Sequence, residues 1–301
     1  MATSDFLWQP PVIGALAIQA GINALLMQKT ISGTQKSDKT LVTEADTQTE
    51  HFLTQALQRL HPKALVLGEE TWESLAEHAI TNNLKEDMFI LDPIDGTAMY
   101  AAGLSGWGVS IGFASEGMLT HGAVFLPGSG ELYITTDVTA AYLRLPMDRM
   151  GIPIIPAHGE SLPDYVASRL APLQVRHEQP VKLVSITQHV AKVRSFPTPY
   201  VVLSTGSFVV SMLNLAQGSF SGCVAKAKIW DMAGAWPVAR KLGVKALMVP
   251  SETSFDGPIT KGPWIWDSTS DSFLGLEEHV LFYRDPQLAD ACLKVIKQWD
   301  N

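Results

Sequence analysis

The chain has 301 residues, of which 46% are hydrophobic and 17% charged; that is enough apolar material for a large packed core and excludes disorder as the main state. Thirty acidic residues against 22 basic ones leave a formal charge of −8, so no extended basic face is available and a nucleic-acid polymer is excluded as a partner. Cys223 and Cys292 are too few for a disulfide framework and sit in no zinc-ligand spacing, which fits a reducing cytoplasm.

No basic n-region opens the chain, and no apolar stretch is expected to reach the roughly 18 residues of a membrane span, so the sequence reads as soluble, unprocessed and without a membrane partner. After Pro10-Pro11, apolar residues at Ile13, Leu16, Ala17, Ala20, Ala24 and Leu25 predict a helix ending near Lys29. Residues 30–40 are polar and predict a loop. Thr47-Gln48-Thr49-Glu50 has capping-box spacing, and Phe52, Leu53, Ala56, Leu57 and Leu60 behind it predict a second helix, stopped by His61-Pro62. Strands are predicted at Ala64–Leu67, ending in Gly68-Glu69-Glu70, and at Met88–Leu91, ending in Asp92-Pro93. From Trp107 the pattern predicts an antiparallel meander over Gly108–Ala114, Leu119–Leu126, Glu131–Thr135 and Ala140–Leu145.

Pro146, Pro153, Pro156, Pro163, Pro172 and Pro180 mark 146–180 as a linker with a partly helical excursion over Leu162–Leu170. The chain thus divides into 1–145, 146–180 and 181–301. In the last part strands at Val181–Ile186, Tyr200–Leu203, Ser219–Val224 and Val244–Val249 alternate with helices at 187–194, 206–217 and 231–241, which is α/β wiring. Asp285-Pro286, followed by Leu288, Cys292, Val295, Ile296 and Trp299, predicts a capped terminal helix.

The segment Asp92-Pro93-Ile94-Asp95-Gly96-Thr97 carries the most chemistry. A strand delivers two carboxylates three residues apart, and Gly-Thr then opens a helix, so Asp92 and Asp95 could share hard divalent cations while the N–H groups of Gly96 and Thr97 face an anion. A surface turn uses the same residue types. Glu69-Glu70 could be a solvated helix start, Asp231 after Trp230 an N-cap, and Thr43-Glu44-Ala45-Asp46 a strand end leading into a cap. The histidines show no HExxH or HxH spacing, and no GxSxG, Walker A or GxGxxG motif occurs.

Taken in order, Val42-Thr43-Glu44-Ala45-Asp46, Gly68-Glu69-Glu70, Asp92-Pro93-Ile94-Asp95-Gly96-Thr97 and Trp230-Asp231 resemble the inositol monophosphatase family of the fructose-1,6-bisphosphatase-like superfamily. Val109–Ala114, Gly130–Tyr133 and Gly206-Ser207 before a helix extend the resemblance, which runs to about residue 250. It implies an α/β fold, an αβαβα sandwich, and a phosphatase that hydrolyses a small phosphate monoester with two or three Mg²⁺ ions and is inhibited by lithium. It also implies that Glu69, Asp92 and the Ile94 carbonyl hold a first metal and that Asp92, Asp95 and Asp231 hold a second. Asp46 with Glu69 would hold a weaker third ion. Glu69 and Thr97 would orient the attacking water. Gly96 and Thr97 would receive phosphate, with Asp95, Gly206, Ser207, Asp231 and Lys228 on the substrate side. A homodimer is a further implication.

The physical logic stands beside the resemblance: neutralising ester oxygens, activating a water and stabilising a departing alkoxide are tasks that paired metals held by carboxylates perform together. The departures fall on the substrate side, where Val224 replaces a glutamate six residues before Trp230 and Phe208 replaces a small residue. Lys226 and Lys228 either pair with a second anionic group or flank an edge strand facing water, and Lys36 either approaches the phosphate or is solvated. A 3′(2′),5′-bisphosphate nucleotidase, a fructose-1,6-bisphosphatase and a non-catalytic phosphometabolite-binding relative are the alternatives.

Overall fold

The computed structural model describes residues 8–28, 34–35, 41–42, 44–75, 80, 84–156, 159–176, 181–186, 200–260, 262–267, 269–270 and 272–296. The first part of the chain runs α1 (Pro10–Met27), the paired two-residue strands β1 (Thr34–Gln35) and β2 (Leu41–Val42), α2 (Glu44–Leu60), β3 (Leu65–Gly68), a 3-10 turn (Trp72–Ser74), β4 (Met88–Asp95), α3 (Thr97–Ala101), β5 (Gly108–Ser115), β6 (Met118–Leu126), β7 (Glu131–Thr135), β8 (Ala140–Arg144), α4 (Leu162–Arg169) and β9 (Ala171–Pro172). The rest runs β10 (Lys182–Ile186), β11 (Tyr200–Leu203), α5 (Phe208–Ala216), β12 (Gly222–Ala225), α6 (Ile229–Lys241), β13 (Lys245–Val249), β14 (His279–Tyr283) and α7 (Pro286–Ile296).

Several local expectations change. Helix α2 starts at Glu44, so Thr47–Glu50 lies inside it, and Glu44 and Asp46 occupy a first turn whose dipole favours acidic residues. Strand β4 continues through Pro93 to Asp95; the proline has no N–H for the ladder, and the register with β5 shifts between Asp92 and Asp95. Helix α6 begins at Ile229, so Asp231 is its third residue and not its N-cap. Strand β1 lies inside the expected loop 30–40, paired with β2, and strands β9 and β14 were likewise not predicted. The expected helix 187–194, together with Lys36 and Trp299, lies outside the described residues.

The expectation that no stretch is apolar and long enough to span a membrane fails for α1, which has 18 residues and no charge. Half of it is buried inside the molecule, where it packs on α2, α4 and strands β5 to β7 as a core helix does.

Two sheets set the layers. The larger has the order β3-β4-β5-β6-β7-β8-β9 and is antiparallel except for the parallel pair β3–β4. The smaller has the order β11-β10-β12-β14-β13, with β14 antiparallel to both of its neighbours. Ile18, Leu53, Phe89, Ile111 and Phe125 belong to one core, under α1 and α2. Ile90, Val124, Met212, Ala233, Ala246 and Phe282 belong to another, in which α5 and α6 lie between the two sheets. A third, with Val184, Val224, Leu281 and Leu288, covers the far face of the small sheet under α7. The result is the expected αβαβα sandwich.

Helix α6 lies unusually close to the large sheet. A methyl group added at Gly122 on β6 would stand 2.0 Å from the Gly234 carbonyl oxygen, and one at Gly112 on β5 would stand 2.3 Å from the Ala233 Cβ. From the helix side, a methyl at Gly234 would meet the Ser110 Oγ at 2.4 Å. Backbones approach this closely only where side chains are absent. The far ends of α5 and α6 are tied by Arg284, whose guanidinium donates to the carbonyls of Leu215, Ala216 and Leu242, where positive charge suits helix C-termini. Gly122→Ala is expected to destabilise the protein by about 1–3 kcal/mol through overpacking, read by urea denaturation. A loss below about 0.5 kcal/mol, the ordinary range for a surface substitution, would show that the seam relaxes freely.

Candidate active site

The close seat of α6 brings its first turn to the end of β4. Strands β3 and β4 run parallel with Gly68 opposite Leu91, and the Glu69 N–H donates to the Leu91 carbonyl at 3.2 Å, so Glu69 leaves β3 beside Asp92 of β4. Asp92 is 1% exposed and Asp95 7%. The Asp95 carboxylate accepts the N–H of Phe208 at 3.0 Å and that of Val209 in a shorter contact, and so satisfies two of the amides that open α5. Gly96 follows with φ of 100°, and a side chain there would press at 3.1 Å on both the Gly106 carbonyl and the Ser207 Cβ. The starts of α3 and α5 therefore meet at this glycine.

Asp46 is buried in the first turn of α2. The Thr97 hydroxyl donates to the Ile94 carbonyl at 3.1 Å and lies 3.4 Å from Asp46 Oδ1. Asp231 accepts the Lys228 N–H at 2.8 Å. Asp46, Glu69, Asp95 and Asp231 thus stand around Asp92, each close enough for its charge to be felt there. Burial pushes the Asp92 carboxyl well above the usual carboxylate range, and Glu69, Asp95, Asp231 and Asp46 raise it further. Burial, then Asp231, raise Asp95 to about 7 against the pull of the α5 amides. Asp231 rises to about 6 through burial, moderated by the Lys228 N–H and charge and by a hydrogen bond from Asp92.

On the substrate side, Gly206 (φ 76°) packs on Met99, and the Ser207 hydroxyl accepts the Val210 N–H as the N-cap of α5. The Lys228 ammonium donates to the Phe273 carbonyl at 2.8 Å and stands 5.7 Å from the Trp230 ring. Lys226 is exposed. Val224 belongs to the core under α7, while Cys223 and Ala225 belong to the core on the α5–α6 side. The sequence reading missed two groups. Trp72, just after Glu69-Glu70, stacks on Trp230 (6.4 Å between centroids) and meets Phe273 at 5.1 Å, linking the Glu69 turn to the start of α6. Glu50, 1% exposed on α2, accepts the Glu70 N–H at 2.7 Å; its spacing of four residues from buried Asp46 was a legible signal that both face the same way.

The donor set suits a hard divalent cation, since it is all carboxylate and carbonyl oxygen. Asp92 Oδ1 is buried with no hydrogen-bond partner among the described residues, an acceptor that a cation would satisfy. Among the described residues no three Asp, Glu, His or Cys side chains stand at ligating spacing as they are. Asp95 has both oxygens on α5 amides. The residues fit magnesium by the chemistry of their oxygen donors and by the unpartnered Asp92 Oδ1.

Fold and site together define a layered α/β protein with a carboxylate cluster where four helix starts meet strand ends. The chain belongs to the inositol monophosphatase family, whose family model matches residues 12–265. It is similar to a histidinol-phosphatase of Chlorobaculum parvum, 34% identical over 36% of this chain and 39% of the relative, so this match spans about two fifths of that protein. It is also similar to an inositol monophosphatase of Mesembryanthemum crystallinum, 26% identical over 79% of this chain and 85% of the relative. A solved inositol monophosphatase/NADP phosphatase complexed with Mg²⁺ and phosphate shares the fold with a TM-score of 0.64 at 17% identity, over 92% of this chain and 90% of that one.

The raised carboxyls give a pH signature in chelator. Asp95 at about 7 and Asp231 at about 6 hold protons that the unfolded chain has released near its ordinary value of about 4. Their contribution to stability is therefore full below that value and is lost as pH rises to about 7. Urea denaturation in EDTA should show the wild type losing more stability between pH 4.5 and 7.5 (about three units) than Asp95→Asn, which cannot titrate. Equal slopes would contradict the assignment.

Proposed function

We propose that the chain is a phosphoric monoester hydrolase acting on a small phosphorylated metabolite, with magnesium held by Glu69, Asp92, the Ile94 carbonyl, Asp95 and Asp231. The observation that carries the reading is the convergence of Asp46, Glu69, Asp92, Asp95 and Asp231 on one pocket beside the Gly96–Ser207 contact, in a chain of this family. When bound, magnesium would neutralise the ester oxygens and lower the pKa of a bound water.

The chain's own residues supply position. Thr97 and Glu69 orient the attacking water, with Asp46 beside the Thr97 hydroxyl fixing its direction. The amides that follow Gly96 face the phosphate, because the first turn of a helix leaves its N–H groups without partners inside the helix. Asp95 keeps α5 and its Gly206-Ser207 cap against this site. Lys228 has its ammonium on the Phe273 carbonyl and its charge beside Asp231, so it braces the wall and favours a substrate with one phosphate. With Val224 turned into the core under α7, that position offers no acceptor for a polyol hydroxyl, which weighs against inositol phosphate itself.

The proposal extends to two or three magnesium ions, lithium inhibition, a homodimer and a reducing cytoplasmic setting. The last is consistent with both cysteines being free and buried. It also keeps the division at 146–180, since the strands of the large sheet other than β9 precede this stretch and those of the small sheet follow it.

A phosphate-release screen over some tens of monoesters should find turnover that requires Mg²⁺ and is lost in EDTA. Asp92→Asn should lower kcat by about 10²-fold or more, the scale at which removing one charge-stabilising group acts, while circular dichroism shows an unchanged fold. A folded Asp92→Asn enzyme with full turnover would contradict the reading. Tight binding of a phosphorylated metabolite with no turnover across the screen would instead identify a non-catalytic relative.

A further inference from the structure

Glu50 has no part in the reaction as described, yet it is a buried acid 1% exposed within reach of the site. One of its oxygens accepts the Glu70 N–H at 2.7 Å. Its carboxylate also lies where a side chain at residue 68 would be: a Cβ on Gly68 would stand 2.1 Å from the Glu50 Cδ. The turn Gly68-Glu69-Glu70 is therefore gripped at both ends. On one side the Glu69 N–H is tied to Leu91, the neighbour of Asp92; on the other Glu70 is tied to α2.

Helix α2 adds the logic of spacing. Asp46 and Glu50 stand one turn apart on the same face and are both buried. Asp46 meets Thr97, and Glu50 meets the turn that carries Glu69. A carboxylate is a stronger acceptor for a backbone N–H than a neutral oxygen. We propose that Glu50 is a positioning residue that clamps the Gly68-Glu69-Glu70 turn and so holds the Glu69 carboxylate toward Asp92. The inference rests on the phosphatase reading for its consequence, but not for the clamp itself.

The test compares Glu50→Ala, which removes the acceptor, with Glu50→Gln, whose amide oxygen can still accept the Glu70 N–H. Two quantities are read on the whole chain: the Mg²⁺ concentration for half-maximal thermal stabilisation, and hydrogen exchange at the Glu70 amide. Glu50→Ala should raise the Mg²⁺ requirement by about tenfold or more, the scale for losing a group that orients a ligand, and should speed exchange at Glu70. Glu50→Gln should keep both within about threefold of wild type, the spread expected where the hydrogen bond survives.

An unchanged Glu50→Ala protein would overturn the proposal, and so would a Gln variant as impaired as the Ala variant, because charge and not the hydrogen bond would then be responsible. If the wild type shows no response to Mg²⁺, the phosphatase reading falls, and Glu70 exchange alone decides the clamp: wild-type protection in Glu50→Ala overturns it. Should Glu50→Ala not fold, Gly68→Ala crowds the same carboxylate from the other side and is expected to raise both readouts; wild-type values there would overturn the proposal.

Discussion

The approach of α6 to strands β5 and β6 governs the rest of the structure. Gly112, Gly122, Ala233 and Gly234 let helix and sheet backbones touch, and this depth of packing decides where the N-terminus of α6 falls. Side chains at these positions would hold the helix off the sheet and carry Asp231 away from the end of β4. The seam is thus where packing is converted into site geometry. The Arg284 bonds at the opposite ends of α5 and α6 serve the same purpose, holding two helices whose other ends face the carboxylates.

The pocket itself is held against its own electrostatics. Burial raises Asp92, Asp95 and Asp231 above ordinary carboxylates, and repulsion from neighbouring acids adds to it at Asp92 and Asp95. The surrounding fold counters this with local donors: α5 amides for Asp95 and the Lys228 N–H for Asp231. Perturbed groups grouped in this manner mark functional sites more often than structural ones. The aromatic contact of Trp72 with Trp230 and Phe273 closes the arrangement from outside by joining the turn after β3 to the start of α6.

Much of this was legible before any coordinates. The meander over β5 to β8 followed from alternation and turn residues to within one residue at each end. The acids sit where strand ends and helix starts were expected. What escaped has physical reasons. Strand β14 is short, and its partners β12 and β13 come from distant parts of the chain. The extension of β4 past Pro93 depends on a local register shift that sequence alone does not announce. Val224 was read as facing the site, whereas alternation along β12 turns Cys223 and Ala225 toward α5 and α6 and Val224 away. Glu50 looked like half of a capping box, and its burial depends on β3 passing beneath it. Trp72 has no local signal, because its partners lie far along the chain.

The central claim is that one cation-binding pocket is built from residues on α2, β3, β4 and α6. Anomalous diffraction from crystals grown with Mn²⁺ in place of Mg²⁺ addresses it directly. The account requires a manganese peak in contact with both Asp92 and Asp231, at about 2.0–2.2 Å from carboxylate oxygen, the range of such octahedral ions. Manganese bound elsewhere, with Asp92 and Asp231 free of it at saturating concentration, would contradict the account.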